Sequence, residues 1–554
     1  MKETEKPRPN RHRFPILAVP QSAAQATVCK VKAAAVPSNP FKRPGLRIIP
    51  RVCLAIGGVA CHHLPRYFGM NVVVICLDTM RTDMVHTFGT DFIRTPVLDN
   101  LAAESVVFTE AYGCAYPTIP VRRALFTGMD SFPWRFGYDT LGSSPSPRGW
   151  HKIPPEHTPV AERLVEAGVN TGFIADTYHM FKATMNFTRG FCSWDFVRGQ
   201  EFDHWKTLPP GAVDPTKHTD AALDSPRMTG MLQYLWNQGE RTKEDDFQAA
   251  RVFLSAMDWV ENNASYGPFY LYIDSFDPHE PWDPPLHYAD AYFKDDSVKD
   301  YIWPVGTEVE GAAAIERTKA LYYGEVTFVD TWIGHFLDKL EALHLLEDTV
   351  IIFTSDHGTE LLDRNRFGKS EDHLQWFNTR INMFIRHPDK QHAGKRLDAF
   401  VQHQDVPPTV LDLFGVAYQG LDGTSMWPLV TGEREKNRDF IVAGWGQHAT
   451  VRDHDFNYVI DFEQGPRKTD SGGFTVTQET AAQHVQEELY NLRDDPQETK
   501  NVLESEPEAA LKQRARLEGF LEQELPARLD DRVDTYEYPR RVHAKTSPHM
   551  KNIT

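Results

Sequence analysis

The chain has 554 residues, and single hydrophobic cores stop growing at about 250 to 300 residues, so we expect one large domain and one small domain. Hydrophobic residues make up 41% and charged residues 25% of the chain, and the mean hydropathy is -0.46, which is typical of a soluble globular protein. The formal net charge of -18 argues against nucleic acid as a partner, because phosphate backbones attract clustered Lys and Arg. No stretch of about 20 apolar residues could span a bilayer, which excludes an integral membrane protein.

The charge is divided unevenly along the chain. Residues 1–69 carry twelve Lys or Arg and only two Glu, are rich in Pro and Ala, and lack clear helical periodicity. Three interpretations of this leader compete: an organellar transit segment, a disordered tail, or upstream sequence translated ahead of the true start. Met70 favours the third, because it comes immediately before the first strand-like run.

The cysteines give little information about function. They stand at positions 29, 53, 61, 76, 114 and 192, and three of them lie in the leader. The remaining ones have neither CxxC spacing nor the density of a secreted disulfide framework. We therefore expect reduced thiols and a cytoplasmic location.

From Met70 onward the chain reads as alternating β and α segments. Four apolar runs, rich in β-branched or aromatic residues, have the length of buried strands in a parallel sheet. They cover residues 71–77, 170–175, 268–273 and 349–354, and Asp78, Asp176, Asp274 and Asp356 follow them. Apolar positions at helical spacing predict a helix over 96–107, and a composition rich in acidic residues and in alanine or leucine predicts another over 312–345. Ligands bind beyond the carboxyl ends of the strands in open parallel sheets, so the polar residues that follow these strands are expected to converge.

The composition changes again near residue 439. Alternating runs over 439–444 and 456–461 predict a small antiparallel sheet, with a helix over 506–525 packed on it. We therefore predict an α/β fold with a mostly parallel central sheet flanked by helices, plus a small C-terminal domain with a short antiparallel sheet and a helix. The predicted boundaries are 1–69 for the leader, 70–438 for the large domain, 439–527 for the small domain and 528–554 for a charged tail, which is either an oligomerisation arm or disordered.

Two of the strand ends carry residues that suit a divalent cation. Asp356-His357-Gly358 pairs a hard oxygen ligand with an imidazole, and its glycine permits a tight backbone turn. Asp78 taken alone is more often a turn or helix-cap residue. Together, two acidic ends of buried strands with an adjacent histidine predict a site for one divalent metal ion, with Mn, Mg, Ca and Zn all open.

Several motifs, in the same order along the chain, resemble those of the sulfatase branch of the alkaline phosphatase superfamily. The run from Thr118 to Arg122, T-I-P-V-R, followed by L-F-T-G, is similar to the signature C/S-x-P-x-R with L-x-T-G, in which the first residue is oxidised to formylglycine. Residues 78–83, D-T-M-R-T-D, look like the family's D-T-L-R-A-D, and residues 354–358, T-S-D-H-G, are similar to its second metal motif. Further similarity lies in residues 95–112, 420–425 and 488–501. The resemblance runs from Met70 to about residue 525 and implies an alkaline phosphatase-like fold.

The resemblance implies the metal ligands and the nucleophile. Asp78, Asp356, His357 and the oxygen of Thr118 would bind the metal. Thr79 stands where many members have a second aspartate, so it would at most add a hydroxyl. Threonine cannot become formylglycine, so formylglycine is not expected. Either Thr118 attacks with its own hydroxyl, or the site is inactive.

Three further matches imply contacts with the substrate. Arg122 lies one helical turn after Thr118, so both can face one pocket at a helix N-terminus, where arginine suits a phosphate or sulfate oxygen. Lys369, twelve residues after His357, matches the family's anion-binding lysine. His279 resembles the histidine that contacts the ester oxygen and protonates the leaving group, a role that suits imidazole because its ordinary pKa is near 6.5.

Four other polar residues give weaker signals. His179 and His373 are candidates for substrate contact. In the aromatic-rich segment 186–201, Arg198 and Glu201 are predicted to form a buried pair, with the aromatic side chains packed in the interior.

We predict a metal-dependent hydrolase that cleaves phosphate-type esters through Thr118, with phosphodiesters or phosphonate monoesters favoured. Phosphate is favoured over sulfate because formylglycine gives sulfatases an elimination route for releasing sulfate, and threonine offers none. The first alternative is a sulfatase, such as an arylsulfatase, that uses unmodified Thr118. An alternative from another class is a catalytically inactive, anion-binding relative. The expected partner is a small anionic ester, without nucleic acid or membrane, and homo-oligomerisation is left open.

Overall fold

The computed structural model describes residues 70–133, 149–209, 211–220, 226–239, 241–305, 309–446, 448–461 and 487–524. The predictions for the leader and for the tail lie outside these residues. The strands are β1 (Asn71–Leu77), β2 (Val106–Phe108), β3 (Ala111–Tyr112), β4 (Ala115–Tyr116), β5 (Asn170–Ala175), β6 (Ser193–Phe196), β7 (Phe269–Ser275), β8 (Thr349–Ser355), β9 (Glu360–Leu361), β10 (Phe367–Gly368), β11 (Met383–Arg386), β12 (Arg396–Leu397), β13 (Val401–Gln402), β14 (Ile441–Trp445), β15 (His448–Arg452), β16 (Phe456–Asp461) and β17 (Glu487–Asn491).

The helices connect the strands and cover the sheet. They are α1 (Pro96–Ala103), α2 (Ile119–Thr127), α3 (Val160–Glu166), α4 (Pro226–Gln238), α5 (Gln248–Asn263), α6 (Leu286–Asp290), α7 (Ala312–Ala342), α8 (Trp376–Thr379), α9 (Val406–Phe414), α10 (Trp427–Thr431) and α11 (Pro507–Glu524). Among the described residues, no helix combines the length and the apolar character needed to cross a bilayer.

An eight-stranded sheet forms the centre of the large domain, in the order β12-β2-β11-β8-β1-β7-β5-β6. The five strands from β8 to β6 run parallel to one another, whereas β11 is antiparallel to both of its neighbours. The predicted mostly parallel α/β fold is therefore confirmed. β1 lies between β7 and β8, and this position brings the ends of these three strands side by side.

The residues of β1 alternate between two hydrophobic cores, one on each face of the sheet. Val72 and Val74 pack in one core with α2, α3 and α9, and Val73 and Ile75 pack in the other with α1, α5 and α7. Each fully buried aliphatic side chain of this kind contributes about 1.5 to 3 kcal/mol to folding. Helices on both faces explain why this strand is a continuous apolar run.

Two predicted boundaries are wrong. Helix α1 ends at Ala103 rather than near residue 107, and Val106 and Val107 belong to β2, because β2 pairs with β11 and β12. Asp274 does not follow β7 but lies inside it, since it pairs with Cys76 of β1 and Ala175 of β5. In both cases the neighbouring strands determine the boundary.

The C-terminal region forms a five-stranded sheet in the order β17-β16-β15-β14-β4. Strands β14 to β17 form the predicted antiparallel sheet, and α11 packs on it through the buried Leu517. The fifth strand, β4, comes from the large predicted domain and pairs in parallel with β14, Ala115 opposite Gly444 and Tyr116 opposite Trp445. The small sheet thus holds the segment that leads directly into Thr118.

Asp330 of α7 provides a test of this packing. Its buried carboxylate accepts hydrogen bonds from the backbone N–H groups of Val97 (3.1 Å) and Leu98 (2.8 Å) in the first turn of α1. Burial raises the pKa of Asp330 to about 7. Because the pKa of Asp330 is higher in the folded than in the unfolded protein, ionisation of this side chain opposes folding. Asp330 therefore contributes most to the free energy of unfolding below about pH 4, and this contribution is lost as the pH rises to about 7.

We expect the wild-type protein to lose about 4 kcal/mol more stability than Asp330→Asn between about pH 4 and pH 7, since each unit of pKa shift corresponds to about 1.36 kcal/mol. Urea unfolding of both proteins across this range measures the difference. If the free energies of unfolding of the two proteins changed equally with pH, the raised pKa of Asp330 would be contradicted.

Candidate active site

Asp78, Asp356 and His357 come together at the carboxyl ends of β1 and β8. These strands are parallel neighbours, with Leu77 opposite Ser355, so the residues that follow them meet. One ligand atom from each of the three side chains lies within 4.8 Å of the others, and all three side chains are fully buried. The chain thus forms an Asp-Asp-His cluster where the sequence predicts a metal centre.

Backbone contacts fix the orientation of these ligands. Asp356 Oδ1 accepts hydrogen bonds from the N–H groups of Thr79 (2.9 Å) and His357 (2.6 Å). His357 Nδ1 donates to the carbonyl of Gly358 (2.8 Å), which leaves the lone pair of Nε2 toward Asp356 (3.4 Å) and Asp78 (3.8 Å). A Cβ at Gly358 would lie 1.9 Å from the Phe377 carbonyl oxygen, so this turn requires glycine.

The chemistry of the cluster fits a divalent cation. Asp78 Oδ1, the hydroxyl of Thr79 and Nε2 of His357 are buried without a hydrogen-bond partner among the described residues, whereas Asp78 Oδ2 is ion-paired with Arg122. An unsatisfied buried polar group costs about 1 to 3 kcal/mol, and metal coordination would satisfy several of these groups at once. Burial lowers the pKa of His357 to about 4, so its imidazole is neutral, as metal binding requires.

Arg122 is the counter-ion of three aspartates. Its fully buried guanidinium lies 2.9 Å from Asp78, contacts Asp356 through the same nitrogen, and donates twice to Asp274 at 3.1 and 3.0 Å. Burial opposes this charge, but the three carboxylates raise the pKa of Arg122 well above its usual value. Burial also opposes ionisation of Asp356, yet Arg122 and His357 hold the pKa of Asp356 below its usual range.

Asp274 belongs to this cluster, although the sequence analysis did not assign it a role. Besides its pair with Arg122, it accepts a hydrogen bond from Thr177 Oγ1 at 2.6 Å. The sequence does contain a signal for this role, because an aspartate at the end of an apolar strand that is buried requires a cationic partner.

Thr118 lies between β4 and the N-terminus of α2. Its backbone angles, φ 37° and ψ -82°, are strained for a β-branched residue, and its carbonyl accepts the first-turn hydrogen bond from the Arg122 N–H (3.0 Å). Thr118 therefore lies one helical turn before Arg122, the residue whose guanidinium contacts Asp78 and Asp356. The centroids of the Tyr116 and Trp445 rings lie within 6.4 Å of the centroid of the His357 ring, which belongs to the Asp-Asp-His cluster.

Lys369 and His279 form a second polar pair. Lys369 Nζ, just after β10, lies 2.8 Å from His279 Nε2 and 3.1 Å from Glu280 Oε1. Burial lowers the pKa of His279 to about 4, so the imidazole is neutral and accepts a hydrogen bond from the lysine ammonium. Burial and the neighbouring Asp356 raise the pKa of Asp78, and the charges of Arg122 and Lys369 oppose this rise.

The weaker candidates have other partners. His179 packs on Trp150, and its Nε2 lies 3.1 Å from Glu201 Oε2. The predicted Arg198–Glu201 pair is wrong, because Arg198 pairs instead with Asp203 at 2.6 Å. Glu201 has a left-handed backbone, φ 43°.

His373 is also not part of the Asp-Asp-His cluster. Its Nδ1 bonds the buried carboxylate of Glu360 at 2.9 Å, and Arg366 contacts the same carboxylate at 3.3 Å. This network supports the segment between β9 and β10 that precedes Lys369. The structure therefore gives His373 a supporting contact, and its predicted contact with substrate stays a prediction.

A mostly parallel sheet with carboxylates, an imidazole and a hydroxyl at its carboxyl edge can support metal-assisted hydrolysis of anionic esters. Residues 70–416 match the sulfatase family, and residues 374–524 match the family described as N-sulphoglucosamine sulphohydrolase, C-terminal. The chain belongs to the sulfatase family, and it is accordingly a hydrolase acting on ester bonds. The predicted resemblance is confirmed.

Individual relatives fall on both sides of the sulfate and phosphonate division. The chain is 27% identical over 470 residues to an arylsulfatase of Clostridium perfringens, covering 79% of this chain and 90% of that protein. It is 25% identical over 417 residues to the multifunctional alkaline phosphatase superfamily protein PehA of Trinickia caryophylli, covering 65% of this chain and 77% of that protein. The fold is similar to that of the phosphonate monoester hydrolase of Agrobacterium radiobacter, with a TM-score of 0.60 at 20% identity, covering 83% of this chain and 95% of that one.

Proposed function

We propose that this enzyme cleaves phosphate-type esters, with phosphodiesters or phosphonate monoesters favoured, through the hydroxyl of Thr118. One observation carries the proposal: a strained threonine at the N-terminus of α2 lies one turn before Arg122, whose guanidinium contacts Asp78 and Asp356. Strain of this kind costs about 1 to 3 kcal/mol and is concentrated at functional sites. Threonine cannot supply the elimination route of formylglycine, and this favours phosphorus over sulfur.

Asp78, Asp356 and His357, with Thr118 and the hydroxyl of Thr79, would hold one divalent cation. When bound, such an ion lowers the pKa of a coordinated hydroxyl and offsets the negative charge of the ester. The candidate metals are Mn, Mg, Ca and Zn, and the small number of negative ligands favours Mn, Mg or Zn over Ca.

In the proposed reaction, Thr118 is the nucleophile and other groups of the chain stabilise the charge of the ester. Thr118 Oγ passes its proton to a solvent water and forms a bond to phosphorus, and the bond from phosphorus to the leaving oxygen breaks. Lys369 and the N–H groups at the start of α2 would stabilise the nonbridging oxygens. Water then attacks phosphorus and passes one proton to Thr118 Oγ as the bond between phosphorus and Thr118 breaks, and solvent restores the proton that the leaving oxygen took.

The leaving oxygen needs a proton, and the Lys369–His279 pair can supply it. The neutral His279 has no proton on Nε2, since Nε2 accepts from the Lys369 ammonium at 2.8 Å. The proton would therefore pass from Lys369 either directly or through His279 Nε2. We therefore propose that the proton comes from the Lys369–His279 pair rather than from His279 alone.

A sulfatase that uses unmodified Thr118 is the second candidate, and the 27% identity to an arylsulfatase favours it. A panel of aryl phosphate, phosphodiester, phosphonate and sulfate esters, assayed with added Mn, Mg, Zn and Ca, separates the two. Mass spectrometry of the quenched Thr118 peptide should detect a phosphoryl adduct. Turnover of the sulfate ester alone would contradict the proposal, and turnover of no ester would favour the inactive relative.

The metal site gives a prediction that does not depend on turnover. Divalent cation at about 100 times its dissociation constant is expected to stabilise the wild-type protein by about 2.7 kcal/mol, and EDTA should remove this gain. His357→Ala should lose most of it, because a ligand is missing. Thermal unfolding with and without each cation measures the effect.

His403→Ala is the matched control for this experiment. His403 is equally buried and bonds the carbonyl of Ser355 at 2.8 Å, but its side chain is not one of the three ligands. It should therefore keep the cation-induced stabilisation. Equal loss in both variants would argue against His357 as a ligand.

A further inference from the structure

Two buried aspartates hold the start of the loop that carries His279. Asp176, directly after β5, accepts a hydrogen bond from the backbone N–H of Phe276 at 2.7 Å. Asp277 accepts one from the N–H of Ala249, in the first turn of α5, at 3.0 Å. The loop is therefore attached at consecutive residues to two different parts of the large domain.

Gln200 joins the two aspartates. Its side-chain nitrogen lies 3.1 Å from Asp176 Oδ2 and 2.6 Å from Asp277 Oδ1, so one amide donates to both carboxyl groups. Asp176, Gln200 and Asp277 are 0%, 2% and 6% exposed. We call these three residues the carboxyl bracket.

The bracket reaches the imidazole through one residue. Phe276, whose N–H is held by Asp176, accepts a hydrogen bond from the His279 N–H at 2.8 Å. The Phe276 ring also stacks on the His279 ring, with centroids 4.0 Å apart and an interplanar angle of 28°. A shift of Phe276 would therefore shift the imidazole that faces Lys369.

Packing alone does not explain two acids here. A pair of buried carboxyl groups is costly, and well-packed apolar residues would be at least as stabilising. Burial, followed by the neighbouring carboxyl group, raises the pKa of Asp176, and burial raises that of Asp277 to about 6. A fully satisfied polar network does, however, specify a single arrangement of the groups attached to it.

We propose that Asp176, Gln200 and Asp277 are positioning residues for ester cleavage, which fix Phe276 and thereby hold His279 against the leaving oxygen. This inference rests on the proposed role of the Lys369–His279 pair in protonating the leaving group. The bracket does not touch the substrate. Its effect should appear only where the leaving oxygen needs a proton.

Gln200→Leu tests the inference by removing both hydrogen bonds at nearly constant volume. On an alkyl ester, whose leaving oxygen needs a proton, kcat should fall about 10²-fold, as expected for a misplacement of about 1 Å. On the 4-nitrophenyl ester of the same acid, whose leaving group departs without a proton, kcat should change less than about threefold. KM should stay near the wild-type value for both esters.

Two further variants keep the test decisive. Asp277→Asn is nearly isosteric, and it should show the same dependence on the leaving group even if Gln200→Leu folds poorly. Gln513→Leu is the control, because Gln513 is a fully buried glutamine on α11 that donates to the Phe456 carbonyl and does not contact the His279 loop. It should affect both esters equally.

A readout without turnover is the carbethoxylation of His279 by diethyl pyrocarbonate, followed by mass spectrometry. His279 is 6% exposed, and release from Phe276 should make it react severalfold faster in Gln200→Leu than in the wild type. An unchanged rate, together with equal kcat losses on both esters, would overturn the inference.

His279→Ala distinguishes the acid role of His279 from the positioning role of the carboxyl bracket. If this variant shows no preference for the activated ester, proton transfer through His279 fails and the positioning role fails with it, which leaves Lys369 as the direct donor. If His279→Ala shows the preference and Gln200→Leu and Asp277→Asn do not, the acid role stands and the positioning role is overturned.

Discussion

Thr118→Ala is expected to lower kcat for the preferred ester by at least about 10³-fold, because loss of a covalent nucleophile leaves only binding and electrostatic stabilisation. Thr118→Ser keeps a hydroxyl and should remain within about tenfold of the wild type. Serine also relieves the crowding of a β-branched side chain at φ 37°. Steady-state kinetics on the preferred ester measure both variants.

Folding and metal binding must be intact for this result to concern chemistry. Thr118→Ala should therefore unfold at a temperature close to that of the wild type, and it should accumulate no covalent adduct after quenching. Unchanged phosphoester turnover in Thr118→Ala would exclude the nucleophile, and a water molecule would then have to attack directly.

Thr118→Cys tests the other half of the same assignment. It completes the C-x-P-x-R signature, so coexpression with the enzyme that makes formylglycine should yield the aldehyde, detectable by peptide mass. We expect sulfate ester turnover to rise only in this modified form. If the unmodified wild type already cleaves sulfate esters as well, the sulfatase alternative gains support.

The second large effect is expected at Arg122. Arg122→Met removes a cation that contacts Asp78, Asp274 and Asp356 together, and a buried charge left without its partner costs about 3 to 5 kcal/mol. Urea unfolding in EDTA measures this loss. Activity should be lost as well, because the carboxylates would no longer be held in place.

Added divalent cation should restore more stability to Arg122→Met than to the wild type, since the cluster of carboxylates then lacks its own counter-ion. Arg386→Met is the control: Arg386 is also buried, but it pairs with the more exposed Glu104 at 2.9 Å, remote in sequence from these ligands. It should respond to the cation as the wild type does. A mild effect of Arg122→Met in EDTA would contradict the counter-ion role.

Local patterns in the sequence determined the elements and the motifs of this protein. The apolar run of β1 predicts a strand buried on both faces, and its bounds are those observed, Asn71–Leu77. The match around Thr118 and Arg122 predicts the family. Asp78, Asp356 and His357 could be combined into one site because ligands of parallel sheets gather at the carboxyl ends of the strands.

Only the tertiary structure decided the partners. Arg122 pairs with Asp274, 152 residues later in the chain, and Arg198 pairs with Asp203 rather than with Glu201. β4 joins the small sheet through β14, although the sequence assigns the two strands to different domains. Periodicity and motif spacing act within a window of a few residues, whereas strand order and register bring distant residues together. Side-chain pairing in a buried site depends on that register, and so no local pattern could determine it.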